Sequence, residues 1–271
     1  MKDRGERVTM VSAYDYIMGC MVDKSEIDIV LVGDSLGNVI LGYKDTLSVT
    51  MDEMIHHTRA VSRGVKRALV VGDLPFMSYQ ASVEDAIRNA GRFLKEGHAE
   101  AVKVEGGRGM IQKIEAIIQS GIPVMGHLGL TPQWYHQFGG FKVRGKTKST
   151  AQMILKDAQR LERAGVFSIV LECIPWQLAK LITEKVSVPT IGIGAGPYCD
   201  GQVLVLHDLL GITPQVPKFV KRYAKLDETI VRALSEFKRE VKSNKFPTLE
   251  HSYDMPREET QKLLREFRKR R

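Results

Sequence analysis

Leu31-Val32-Gly33-Asp34-Ser35-Leu36-Gly37 closes an apolar run that begins at Ile27, and it does so with a glycine, a carboxylate and a hydroxyl. The same construction returns at Ala68-Leu69-Val70-Val71-Gly72-Asp73. A buried strand can carry a carboxylate to one rim of a sheet. Two neighbouring parallel strands can carry two carboxylates to one point on that rim. Either aspartate alone reads as a cap on the loop or helix that follows. Taken together, and with what the rest of the chain supplies, they read as one site.

The pattern continues on both sides of this pair. Apolar, β-branched runs predict strands at residues 8–14, 27–32, 67–71, 101–107, 123–129, 168–174, 189–196 (with its loop) and 203–208. Helical stretches lie between them. Thr50-Met51-Asp52-Glu53 has the capping-box pattern and opens a helix that ends near Gly64, and Ser82-Val83-Glu84-Asp85 opens another that Gly97 closes. Further helices are expected at 16–24, 110–120, 150–164 and 176–185. Eight strands alternating with helices predict an α/β fold, a (β/α)8 TIM barrel over residues 1–224. A doubly wound open sheet is the competing arrangement. Residues 225–271 form a C-terminal helical extension, with helices at 227–242 and 257–271 and a basic tail. The polar, glycine-bearing loop at 131–149 is long for a compact domain, and its aromatic residues favour a lid.

With 271 residues and 43% hydrophobic content, the chain can build a large core, yet it lacks any apolar stretch of the roughly 20 residues that a membrane span needs. The N-terminal residues lead straight into a strand, without the apolar segment of a signal peptide. Cys20, Cys173 and Cys199 are widely spaced with no CxxC, so a reducing cytoplasm is the expected location. The formal charge of +8 does not point to nucleic acid, because residues 257–271 alone contribute a net +4 and no basic-aromatic interleaving accompanies them.

In a barrel of this kind, active sites lie at the C-terminal strand ends. Those ends carry Tyr14, Asp34 with Ser35, Asp73, Lys103 with Glu105, His127, Glu172, the Gly194-Ala195-Gly196 turn, and His207 with Asp208. Asp34, Asp73 and Glu105 come from consecutive strands and would raise one another's pKa unless a cation neutralised them. Mg²⁺, which favours carboxylate oxygens together with waters and substrate oxygens, suits that place. Glu172 stands across the mouth, where a carboxylate apart from a metal can serve as a general base or can pair with a lysine or histidine in the wall. Lys103 can meet a substrate carboxylate or neutralise Glu105. His127 can be a metal ligand or a hydrogen-bond donor to substrate or neighbour. Core packing accounts for Tyr14 and His207, and a tight turn accounts for the glycines.

Assembled, these residues resemble the ketopantoate hydroxymethyltransferase family. The resemblance runs over residues 8–223 and rests on long motifs, among them Ala13-Tyr14-Asp15-Tyr16, Leu31 to Gly37, Asp73-Leu74-Pro75-Phe76, Val102 to Gly107, Gly126 to Gln133, Leu171 to Pro175 and Ile191 to Gly196. It implies a cytoplasmic homodecamer of barrels with one Mg²⁺ per subunit. The reaction implied is transfer of a hydroxymethyl group from 5,10-methylenetetrahydrofolate to 3-methyl-2-oxobutanoate through a Mg²⁺-chelated enolate, giving 2-dehydropantoate for pantothenate synthesis. By the family pattern Asp34, Asp73 and Glu105 attend the metal. Asp34, Ser35, Asp73, Lys103 and His127 attend the substrate, and Glu172 accepts the proton. Residues 253–271 continue past the family's usual ending. Two other classes fit the same rim: a Mg²⁺-dependent carbon–carbon lyase or phosphonomutase acting on a 2-oxo acid, and a non-catalytic barrel that binds a metal and a small acid.

Overall fold

The computed structural model describes residues 2–140 and 142–268. The chain forms two compact units, Met1–Ala224 and Lys225–Arg271. In the first, eight parallel strands close a barrel in sequence order: β1 Val8–Ser12, β2 Ile29–Val32, β3 Leu69–Asp73, β4 Ala101–Glu105, β5 Val124–Gly129, β6 Ser168–Glu172, β7 Thr190–Ile193 and β8 Gly201–Leu204. Closure is made by β1 pairing with β8, Val8 opposite Gly201 and Val11 opposite Leu204. The barrel prediction therefore holds, and the open sheet is excluded.

Side chains alternate across each strand, which produces two cores. Val8, Met10, Ile29, Leu31, Val71, Ala101, Met125, Val170, Ile191 and Val203 fill the barrel interior. Their strand neighbours, such as Val30, Val70, Val102, Val124 and Ile169, pack outward against the helices. Gly72 is on that outer face, where a Cβ would come within 2.2 Å of the Phe93 ring. Only glycine lets the helix Val83–Lys95 lie so close. Thr50 caps the helix Met51–Gly64 through the capping box read from the sequence, and Ser82 caps Val83–Lys95.

Several boundaries differ from the sequence reading. β1 stops at Ser12, so Ala13 and Tyr14 lie beyond its end. β3 runs on to include Asp73 as its last residue. The largest difference concerns the eighth strand, expected at 203–208. It ends at Leu204, and His207 and Asp208 sit in a helical turn, Leu206–Leu209. The cause is the end of the ladder. β1 offers no further partner after Val11, and the N–H of Leu206 is instead taken by the Ser12 hydroxyl at 3.2 Å. The loop expected at 131–149 contains a 3-10 turn, Pro132–Trp134, and a helical turn, Tyr135–Phe138. The next helix, Lys148–Ala164, is capped by Thr147. Phe141, one of the aromatic residues behind the lid expectation, lies outside the described residues.

The second unit holds helices Leu226–Lys242 and Arg257–Arg268. The first of these buries none of its residues and exposes Ile230, Val231, Leu234 and Phe237. Among the described residues no helix is long and apolar enough to cross a membrane.

Candidate active site

The strand register delivers the rim residues in pairs. Asp73 of β3 lies beside Lys103 of β4, Glu105 of β4 beside His127 of β5, and Glu172 of β6 beside Gly129 of β5. Partners in a parallel ladder point to the same side, and for these residues that side is the barrel interior. The result is a continuous line of charge. Lys103 Nζ lies 2.7 Å from Asp73 Oδ1 and 3.7 Å from Glu105 Oε1. His127 Nδ1 lies 3.3 Å from Glu105 Oε1 and 3.2 Å from Lys103 Nζ. His127 Nε2 lies 3.1 Å from Glu172 Oε2. Asp34 joins the line at its start, its backbone N–H donating to Asp73 Oδ2 at 3.1 Å.

Glu172 is thus not isolated from the acids of β2 to β4, as its place across the mouth suggested. His127 connects it to Glu105. Several of these approaches are charge contacts rather than aligned hydrogen bonds: Asp73 Oδ1, Glu105 Oε1 and His127 Nε2 are buried without a hydrogen-bond partner in line. Asp34, Asp73, Lys103, Glu105 and His127 are all buried, and Glu172 keeps 17% of its side-chain surface open. A cavity of about 110 Å³ has Asp34, Ser35, Asp73, Lys103, Glu105, His127 and Glu172 in its wall, with Leu31, Val170, Ile193 and Val203 supplying the apolar part.

Two residues to which the sequence motifs assigned no role complete the site. Gln133, in the turn after β5, is buried and uses its whole amide. Its Nε2 donates to Asp34 Oδ2 at 3.0 Å and to the Leu74 carbonyl at 2.8 Å. Its Oε1 accepts from Tyr79 Oη at 2.7 Å and from Gln80 Nε2 at 3.0 Å. Its backbone N–H donates to Glu105 Oε2 at 3.0 Å. One residue therefore orients two of the three carboxylates. Tyr79, fully buried, orients Gln133. Nothing in the pattern of a polar loop marks a glutamine for such a place.

The charges are unequal. Burial pushes the Asp34 carboxyl well above the usual range, and Asp73 and Glu105 push it further. Asp73 is also raised, by burial first, although Lys103 opposes this. Burial would raise Glu105 too, but His127 and Lys103 hold it low. Burial works against the Lys103 ammonium, yet Asp73, Glu105 and Asp34 outweigh it and keep it protonated. For His127, burial and Lys103 lower the pKa, while Glu105 and Glu172 raise it to about 9. On its own, the site favours the neutral form of Asp34, through burial and the neighbouring acids. A cation beside Asp34 and Asp73 would oppose that shift, and Asp73 Oδ1, which has Lys103 Nζ at 2.7 Å but no aligned hydrogen bond, gives it an oxygen to meet. Among the described residues no three His, Cys, Asp or Glu side chains form a cage by themselves. Two carboxylates suffice for Mg²⁺, which fills its shell with water and substrate oxygens. Glu105 meets His127, Lys103 and the Gln133 N–H.

The remaining rim residues separate. Tyr14 is buried, and its hydroxyl lies 2.8 Å from Ser35 Oγ, a contact that core packing alone does not require. His207 is set back on its helical turn, its ring 5.5 Å from that of Tyr14. Gly194 and Gly196 have φ of +63° and +81°, and the Gly196 carbonyl accepts from Gln202 Nε2, which makes a tight turn.

Comparison with known proteins agrees with this geometry. The family model for ketopantoate hydroxymethyltransferase matches residues 1–249. A 3-methyl-2-oxobutanoate hydroxymethyltransferase of Moorella thermoacetica is 59% identical over 254 residues, covering 93% of this chain and 94% of that one. The Clostridium botulinum protein of the same name is 56% identical over 264 residues, 97% and 96% of the two chains. Among solved structures, phosphonopyruvate hydrolase in complex with oxalate and Mg²⁺ aligns with a TM-score of 0.61 at 12% identity, over 99% of this chain and 93% of that one. A 2,3-dimethylmalate lyase aligns with a TM-score of 0.60 at 14% identity, over the same 99% and 93%. At such identities these two structures share the fold.

Proposed function

Because the chain belongs to the ketopantoate hydroxymethyltransferase family, we propose that it moves a hydroxymethyl group onto 3-methyl-2-oxobutanoate, with 5,10-methylenetetrahydrofolate as donor and a divalent cation, Mg²⁺, at Asp34 and Asp73. The observation that carries this reading is the cavity itself. One wall presents Asp34, Asp73 and Lys103, another presents Glu172, and the floor is apolar. A branched 2-oxo acid has the matching halves: two adjacent oxygen-bearing carbons and an isopropyl group.

When bound, the cation supplies Lewis acidity toward the oxygens of the 2-oxo acid. The protein supplies the rest. Lys103, held protonated, offers positive charge to the same end of the acid. Leu31, Val170, Ile193 and Val203 keep water from the branched carbon and fix its C3–H toward the β6 side. Glu172 takes that proton, and His127 holds the carboxylate in place from below. The electron pair left at C3 forms a bond to the methylene carbon of the donor, water supplies the hydroxyl oxygen, both C–N bonds of that carbon break, and tetrahydrofolate leaves with the C3 proton and one proton of the water on its two nitrogens.

A second cavity, of about 480 Å³, suits the donor. The Thr131–Trp134 segment divides the two spaces: Pro132 borders the small one, while Thr131 and Trp134 border the large one. Met110, Trp134 and Ile154 give the large one a flat apolar wall, and Arg108 and Lys156 border it with positive charge. That combination fits a planar ring system with an anionic tail.

The test is an assay of the purified protein with both substrates, with and without chelator, beside exchange of the C3 proton with deuterated solvent in the absence of folate. Product formation that needs the folate and is lost to chelator supports the reading. Turnover of the acid without folate would favour a lyase or mutase, and metal binding without either reaction would favour a non-catalytic barrel.

A further inference from the structure

Ser12, Tyr14 and Ser35 form a line of hydroxyls along the β1 side of the small cavity. Ser12 Oγ lies 2.7 Å from Tyr14 Oη, and Tyr14 Oη lies 2.8 Å from Ser35 Oγ. Ser12 and Tyr14 are each 1% exposed and Ser35 is half-buried; Ser12 and Ser35 both line the cavity, and Tyr14 joins them from behind its wall. Their placement follows from local sequence. Ser12 and Tyr14 are two residues apart as β1 ends, so they stay on the same side of the chain. Gly33 leaves room for the third member, since a Cβ there would come within 2.9 Å of Ser35 Oγ.

The direction of the line is set at its buried end. The N–H of Leu206 donates to Ser12 Oγ at 3.2 Å. Ser12 must then place its own proton, and among the described residues the acceptor it reaches is Tyr14 Oη. Tyr14, having accepted, donates to Ser35 Oγ. Reversing the line would turn the Ser12 proton away from the acceptor it reaches among the described residues. In the forward direction every buried proton is satisfied, and the one left over belongs to Ser35, at the cavity. Burial, the main cause, raises the Tyr14 pKa, so the phenol keeps the proton it must give.

We propose that Ser12 and Tyr14 act as a directed relay of positioning residues that fixes Ser35 as a hydrogen-bond donor, and thereby selects an acceptor, a carboxylate oxygen of the bound 2-oxo acid, at that point of the cavity. The inference rests on the functional reading above for the identity of the acid. It adds a source for Ser35's polarity at Tyr14, which is not among the residues that line the cavity.

Calorimetry of the full-length protein with 3-methyl-2-oxobutanoate and Mg²⁺ tests it. Tyr14→Phe should weaken binding of the acid by about 3- to 10-fold, the loss expected when a ligand-facing hydroxyl is no longer held to one role. In a Ser35→Ala background, the same Tyr14→Phe change should alter affinity by less than about 2-fold, because the two act as a unit. Equal affinity in Tyr14→Phe and wild type, or the same loss with and without Ser35, overturns the relay. A second measurement needs no Tyr14 variant. In protein labelled at tyrosine ¹³Cζ, the Tyr14 resonance should move on adding the acid to wild type and stay in place in Ser35→Ala; movement in both overturns the relay. Wild-type protein that does not bind the acid at all overturns the functional reading, and this inference with it.

Discussion

Glu172 Oε2 lies 3.1 Å from His127 Nε2, so the carboxylate that ends β6 is gripped by the histidine of β5. His127 is in turn held at its other nitrogen, where Nδ1 faces Glu105 Oε1 at 3.3 Å. A wall carboxylate paired with histidine and a proton acceptor are therefore not alternatives for Glu172. The histidine lies against one oxygen in a charge contact, and Glu172 also lines the cavity.

If Glu172 handles the C3 proton, Glu172→Gln keeps the shape and loses the basicity. Exchange of the C3 proton with deuterium, without folate, should fall by roughly 10²–10⁴, while Mg²⁺ and the acid still bind. His127→Asn should reduce exchange less, because it loosens the base without removing it. Exchange at the wild-type rate in folded Glu172→Gln would end the assignment and move the search to His127.

Asp34→Asn and Asp73→Asn should each lower Mg²⁺ affinity by at least about 10-fold in calorimetry, with the fold retained. The reason is the charge excess of the metal-free site. Each substitution removes one of the two carboxylates placed to meet a cation, and at Asp34 it replaces a carboxyl whose pKa burial raises. Unchanged affinity in both variants would mean that the cation site lies elsewhere.

Most of the charged rim was legible in the chain because strand alternation is rigid. Asp73, Lys103 and Glu105 had to share one side once β3 and β4 were recognised. The end of β8 was not legible. Val203 to His207 reads as one apolar run, and only the absence of a further β1 partner turns the backbone at Val205. Gln133 was not legible either, since its burial depends on the 131–134 segment folding back over Asp34 and Glu105, a contact between distant parts of the chain. That anchoring also restricts any lid to the part of the loop after Trp134. Ser12 and Tyr14 were readable as same-side neighbours, but Ser35 joins them only through the pairing of β1 with β2.

Asp23 offers a pH prediction away from the active site. Its carboxylate accepts from the N–H groups of Lys66, Arg67 and Ala68 at 2.9–3.1 Å, tying the helix Tyr16–Lys24 to the approach to β3. These backbone donors, Ala68 foremost, hold its pKa below the ordinary 3.8. A carboxyl whose folded pKa is depressed adds stability that is present above its unfolded value and lost as pH falls through the folded one. Asp23→Asn should therefore lower Tm at neutral pH, and the gap from wild type should narrow below about pH 4. A gap that stays constant down to pH 2 would show that the carboxylate charge is not what the backbone donors read.

Gln133 allows the sharpest separation of orientation from ligation, since its side chain is placed to hold carboxylates rather than a cation. Removing it should act on the metal through them. Gln133→Ala frees Asp34 Oδ2 and takes from Tyr79 Oη the nearer of its two acceptors, leaving it the Glu105 carbonyl at 3.2 Å, and Mg²⁺ affinity should fall by about 10- to 100-fold, the range for losing a group that orients metal ligands. Gln133→Glu is more informative. It keeps the size and can still accept from Tyr79 and Gln80, but it replaces the donor facing Asp34 Oδ2 with an acceptor. A further anion there favours the protonated form of Asp34. Mg²⁺ must displace that proton, so binding to Gln133→Glu should need a higher pH than binding to wild type, and each binding event should release more protons at a given pH. Calorimetry in buffers of different ionisation enthalpy measures that release directly. Should Gln133→Glu bind Mg²⁺ with the wild-type pH profile, Asp34 is not oriented through Gln133, and the hydrogen bond between them serves the loop rather than the site.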